Sequence, residues 1–221
     1  VHRAHKVLCN SEATARELNQ RLKVPYKKIV TIPLGYDSKK LYPMNLERKP
    51  FFLVLARHDP HKNIAGVIRA FSLLKSKHME LFLVGKYDKR YTPKLKELAI
   101  ELGINHRCKW IYWVSDQERL VLLNSCKALV ISSFWEGFGL PAIEAMACDT
   151  PVIASTKGAI TEVIGDAGLS INPFNILSIT DAMNQIITNE NLVKDLIQKG
   201  RKRIKNYNWK KAASIIQDIL V

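Results

Sequence analysis

The sequence predicts an α/β domain built on a parallel β-sheet covered by helices on both faces. Two observations carry that expectation. Short runs of continuous apolar residues, the pattern of strands buried on both sides, alternate with amphipathic segments of helical period. The polar and glycine-bearing turns fall just after those runs, at the carboxyl ends where such sheets bind ligands.

Taken in order, residues 7–9 form a short strand, Asn10 and Ser11 a helix cap, and residues 12–22 a helix that stops before Pro25. Residues 28–33 give a second short strand, and the Pro-rich polar stretch from Gly35 to Pro50 suits a linker. An element so close to the first residue suggests that the chain begins mid-structure. Regular alternation then sets in: a strand at 51–56, a helix with Ile64, Val67, Ile68, Phe71 and Leu74 on one face, and a strand at 81–84. A helix follows at 93–102, opened by Pro93 and closed by Gly103, then a strand at 109–113 and a helix at 116–125. The strand at 128–131 leads through a glycine-rich turn into a helix opened by Pro141; strands at 151–154 and 169–171 and helices at 177–188, 192–205 and 209–220 complete the chain. Residues 46–221 thus read as one doubly wound, Rossmann-like domain, and residues 1–45 as the tail of a preceding domain plus a crossover.

The 221 residues suffice for one well-buried core, and the net charge of +14 favours anionic partners: phosphorylated ligands, anionic membrane surfaces or nucleic acid. Cys9, Cys108, Cys126 and Cys148 show no metal-ligand spacing, so free thiols in a reducing compartment are expected. No apolar run reaches the roughly 20 residues of a membrane span.

The chemistry gathers after the strands. Arg57 follows the first strand of the large sheet, Gly85 the second, Glu136 with Gly137 and Gly139 the fourth, and Lys157-Gly158 the fifth. Glycines let a ligand approach the main chain, and a helix N-terminus presents N–H groups to an anion. Arg57 and Lys62, five apart across a strand-to-helix turn, are suited to a pair of phosphates. Glu136 and Glu144 are poorly spaced for an acid/base pair, since on one helix they would lie about 12 Å apart. Neither a G-x-G-x-x-G fingerprint nor a Walker loop is present. His58 and His61 read as surface loop residues, and no metal site is expected.

Glu136-Gly137-Phe138-Gly139-Leu140-Pro141, with Glu144 completing an E-x7-E spacing and Ala145-Met146-Ala147-Cys148 behind it, resembles the donor-site signature of retaining GT-B glycosyltransferases of family 4. Arg57 and Lys62 match that family's R-x4-K pair, and further blocks match across nearly the whole chain. The resemblance implies the C-terminal half of a GT-B fold, a nucleotide-sugar donor (UDP-, GDP- or ADP-linked) and a sugar or lipid-linked acceptor. It implies transfer with retention, in the synthesis of a glycan, glycolipid or cell-surface polysaccharide. It assigns the diphosphate to Arg57 and Lys62, the donor sugar to Glu136 with Gly137 and the amides of Phe138, Gly139 and Leu140, and the ribose to Glu144. The nucleobase falls to Tyr112-Trp113-Val114, with Gly85, Lys157 and Gly158 completing the donor site, and no metal or other cofactor is required. The cleft needs an N-terminal domain, without which the chain should turn over little. Ala159, Asp149, Tyr112 and Asn175 depart from the family's usual residues.

The basic run Lys199, Arg201, Lys202, Arg203, Lys205, Lys210 and Lys211 reads first as the solvated face of the last helices, next as a membrane-facing patch, and last as a nucleic-acid site. The expected location is the cytoplasm, with peripheral attachment to the inner membrane face as the accompanying option. The rival functions are a non-catalytic nucleotide-sugar-binding scaffold and a basic nucleic-acid-binding module.

Overall fold

The computed structural model describes residue 1 and residues 3–220. Strands β1 (Val7–Cys9) and β2 (Ile29–Thr31), joined by helix α1 (Glu12–Leu22), pair in parallel as a two-stranded sheet. The segment after β2 is strapped down rather than loose. Arg48 donates to the carbonyls of Cys126 and Asp149 at 2.7 and 2.5 Å, and Asn124 accepts from the Met44 amide at 2.6 Å.

Six parallel strands follow: β3 (Phe51–Leu55), β4 (Glu80–Val84), β5 (Cys108–Ile111), β6 (Ala128–Ile131), β7 (Val152–Ser155) and β8 (Gly168–Ile171). Their order is β5-β4-β3-β6-β7-β8, so the first strand of the sheet lies beside the fourth and the chain reverses its winding between them. Helices α2 (Ile64–Ser72), α3 (Thr92–Glu101), α4 (Asp116–Ser125), α5 (Leu140–Ala147), α6 (Ile160–Ile164), α7 (Ile176–Thr188), α8 (Glu190–Arg203) and α9 (Trp209–Leu220) connect or follow them.

The two-residue period of the strands divides the core. Phe52, Val54, Leu81, Leu83 and Val130 face a layer with α2, α3 and α7, whereas Phe51, Leu53, Leu129, Ile131 and Val152 face one with α4, α5 and α6. Each fully buried side chain of this size contributes about 1.5–3 kcal/mol. All four cysteines are free and buried; burial pushes the Cys108 thiol up to about 11 and those of Cys126 and Cys148 to about 12, which leaves them unreactive.

Two elements differ from the sequence reading. Strand β5 ends at Ile111, whose carbonyl accepts the Gly85 amide at 2.9 Å, so Tyr112 and Trp113 are loop residues. Helix α6 was not legible, because five residues are too few to show a helical period. No helix among the described residues is long and apolar enough to cross a membrane.

Candidate functional site

Strands β3 and β6 pair at Phe52–Ala128 and Leu53–Leu129, with no ladder pairing beyond these toward their carboxyl ends. The crevice that opens there holds about 210 Å³ and is lined by Lys62, Ser133, Glu136, Phe138, Gly139 and Leu140, with Asn10 and Leu34 reaching over from the N-terminal segment. Lys62 Nζ donates to Glu136 Oε1 at 2.7 Å, and the Ser133 hydroxyl donates to the same oxygen at 2.6 Å. The lysine and glutamate side chains are 20% and 14% exposed, so their pairing is only weakly screened by solvent.

The backbone fixes this arrangement. Glu136 bridges to Gly158, and its carbonyl accepts the Ala159 amide at 2.8 Å. Gly158 has φ +80°, and a Cβ there would collide with the Glu136 main chain. Gly139, at φ +97°, starts α5 without any side chain capping it, and Pro141 follows in the first turn. The helix therefore turns uncapped N–H groups toward the crevice, a suitable end for an anion.

Of the residues expected from sequence, Lys62, Glu136, Phe138, Gly139 and Leu140 meet at the crevice, and Gly137 lies between them with its carbonyl 3.0 Å from the Ser11 hydroxyl. Arg57 instead turns outward, 72% exposed, and pairs with Asp59 at 3.0 Å. Glu144 lies along α5, where Arg119 Nη1 donates to its two carboxylate oxygens at 3.0 and 3.2 Å. Burial raises the Glu144 carboxyl above its ordinary value while Arg119 pulls it back down. Tyr112, beside Trp113 and Val114, meets Tyr87 edge-on with centroids 5.3 Å apart, and the Lys96 amine stands 5.5 Å over the Tyr112 ring. Gly85 brings the end of β4 against Ala56, leaving no room for a Cβ, and Lys157 is exposed to solvent outside the residues that line the crevice. Ser133, Arg119 and Asp116, which ties Arg119 to Lys40, escaped the sequence reading. Only Ser133, three residues before Glu136, carried a local signal.

His58 corrects the expectation of a surface residue: it is 2% exposed, packed edge-on against Trp110 and Tyr112, with Nδ1 2.7 Å from the Thr92 hydroxyl. His61 is exposed as expected. Burial holds the His58 pKa below its ordinary value, against the pull of Asp88 and Asp59. The unfolded chain then takes up this proton first, so stability is complete above the unfolded value of about 6.5 and is lost as pH falls below it. The melting temperature of the wild type should fall more steeply from about pH 7 to about pH 5 than that of His58→Asn. Parallel curves would clear His58 of the effect.

The basic run is only partly a solvated face. Arg201 donates to both Asp149 oxygens at 2.8 and 2.6 Å, Arg203 donates to the carbonyls of Val163 and Glu162, and Lys199 pairs with Asp195 at 2.7 Å.

The family described as glycosyl transferases group 1 matches residues 43–203. The MMP alpha-(1->4)-mannosyltransferase of Mycolicibacterium hassiacum is 29% identical over 215 residues, covering 95% of this chain and 52% of the relative. The O-antigen chain mannosyltransferase RfbU of Salmonella typhimurium is 30% identical over 188 residues, covering 84% of this chain and 52% of the relative. Anabaena HepE, solved in complex with UDP-glucose, superposes with a TM-score of 0.91 at 19% identity, over 99% of this chain and 64% of that one, a likeness of fold. The chain spans about half the length of the curated relatives it matches.

Proposed function

The chain belongs to the glycosyl transferases group 1 family, and from that premise we propose that it is the donor-binding half of a retaining, family 4 hexosyltransferase acting in glycan or polysaccharide synthesis. Its fold is the C-terminal half of the GT-B architecture. The observation that carries the proposal is the largely buried Lys62–Glu136 pair, set in the switch-point crevice beside the uncapped start of α5. A nucleoside-diphosphate sugar has the complementary chemistry: phosphates for a lysine and a helix N-terminus, and hydroxyls for carboxylates. The names of the relatives favour a mannosyl group, and the ligand of the fold neighbour supports a nucleotide-sugar donor.

In the reaction, the bond between the anomeric carbon and the diphosphate breaks, and charge accumulates on the leaving phosphates. Lys62, the α5 amides and Arg57, swung in from Asp59, stabilise that charge. Glu136 orients the sugar, Glu144 receives the ribose hydroxyls with Arg119 fixing its carboxylate, and Tyr112 and Trp113 flank the nucleobase. This distribution of charge calls for no metal. An acceptor hydroxyl, on a sugar or lipid-linked saccharide, arrives from the facing N-terminal domain, so transfer by the 221-residue chain alone should be negligible. A lipid-linked acceptor would place the enzyme at the inner face of a membrane.

Thermal-shift titrations with UDP, GDP and ADP test the reading. At least one should raise the melting temperature, and Glu144→Ala should cost about 1.5–3 kcal/mol of binding through a lost charged hydrogen bond. No response to any of the three would remove the basis for a donor site.

A further inference from the structure

Three large aromatic side chains on the loops after β6 and β8, two of them between the crevice-lining residues Ser133 and Glu136 in sequence, belong to neither hydrophobic core among the described residues. Phe134 and Phe174 stack with centroids 4.8 Å apart and planes 18° from parallel, although Phe174 is 67% exposed, and Trp135, next to Glu136, is 47% exposed. The loops that carry them are held rigidly. The buried Asn63 side chain donates to Ser132 O at 3.2 Å and Pro173 O at 2.8 Å, and the Phe134 amide donates to His61 O at 2.8 Å. One asparagine that caps α2 thus also joins the loop after β6 to the loop after β8. Ordering such a surface without burying it gives no folding advantage, and exposed aromatic groups beside a polar cleft point to a ligand.

Their position indicates which ligand. On the proposed reading, the nucleotide lies over the α4–α5 layer, marked by Arg119 and Glu144, and its phosphates reach Lys62 at the switch point. Phe134 and Phe174 stand on the opposite layer, above the starts of α2 and α7. We propose that Phe134, Trp135 and Phe174 form a saccharide subsite that stacks on a pyranose ring of the acceptor glycan. A pyranose presents C–H groups on its faces and hydroxyls on its edge. The faces complement the electron-rich face of an aromatic ring, and the edge keeps its hydroxyls free for water and polar groups of the cleft. This inference rests on the proposed transferase reading but assigns residues that the donor does not use.

Saturation-transfer NMR with α-linked mannotriose, with and without GDP, tests the subsite on the 221-residue chain. Saturation should reach the C–H protons of the sugar, Trp135→Ala and Phe174→Ala should each bind about tenfold more weakly, and Trp135→Phe should restore binding. Melting temperatures and the thermal shift given by nucleoside diphosphates should be unchanged in all three variants. Equal saturation in the alanine variants, or none in the wild type, would overturn the subsite. So would GDP alone perturbing Trp135 and Phe174, which would identify a nucleobase platform instead. A wild type that binds mannotriose but no nucleoside diphosphate would count against the donor reading and leave the subsite standing.

Discussion

Gly158→Ala should lower the stability of the protein by about 2–6 kcal/mol and, on the proposed donor-site reading, remove nucleotide binding. Two costs combine. At φ +80° an alanine sits in the left-handed region, a strain of about 1–3 kcal/mol. Its Cβ also meets backbone rather than a yielding side chain, with Glu136 N at 2.7 Å and Glu136 O closer still, and such overpacking costs about 1–3 kcal/mol. Relief would require moving Glu136 away, which breaks the 2.8 Å bond from the Ala159 amide and pulls the carboxylate off Lys62. Gly137→Ala is the internal control: a Cβ there meets nothing within 4 Å and its φ is not in the left-handed range, so folding stability should change by less than about 0.5 kcal/mol. Urea denaturation of the two variants gives the comparison. Equal stabilities would show that the Glu136–Gly158 bridge does not constrain the site.

The parts of this molecule legible in the sequence are those governed by local chemistry. The strands of the large sheet show as continuous apolar runs because both faces are covered, and the α5 start shows because Gly139 and Pro141 are what that turn requires. Two residues set apart by the resemblance also become intelligible. Asn175 accepts from the Leu177 and Ser178 amides at 3.0 and 3.3 Å, so it caps α7. Asp149 adopts φ 58°, a region that Asp tolerates, and Arg201 clamps its carboxylate. What stayed hidden depends on long-range packing. His58 sits in a polar stretch that reads as a loop, and only the fold brings Trp110, Tyr112 and Thr92 over it. Arg119 lies 25 residues before Glu144, and nothing in that spacing announces a clamp. The direction of Arg57 is likewise invisible, since its pairing with Asp59 follows from the turn after β3.

Lys62→Met should be the most damaging side-chain replacement in the crevice, and a double-mutant cycle with Glu136→Gln separates its two consequences. Removing the amine leaves a carboxylate 14% exposed with only the Ser133 hydroxyl beside it, and an unpaired charge in such a place costs about 2–4 kcal/mol, somewhat less than at a fully buried site. Glu136→Gln alone leaves the lysine, 20% exposed and longer, better able to reach water, so it should cost less. In the double variant neither charge remains, and stability should recover relative to Lys62→Met, giving a coupling energy of about 1–3 kcal/mol. On the proposed donor-site reading, nucleotide binding should not recover, because the phosphates would have lost their cation whether or not Glu136 is charged. Stability regained without affinity would therefore assign Lys62 two separable roles, holding Glu136 in place and receiving phosphate. Additive stabilities would show that the 2.7 Å contact carries no coupling, and affinity regained in the double variant would show that Lys62 served only to offset the glutamate.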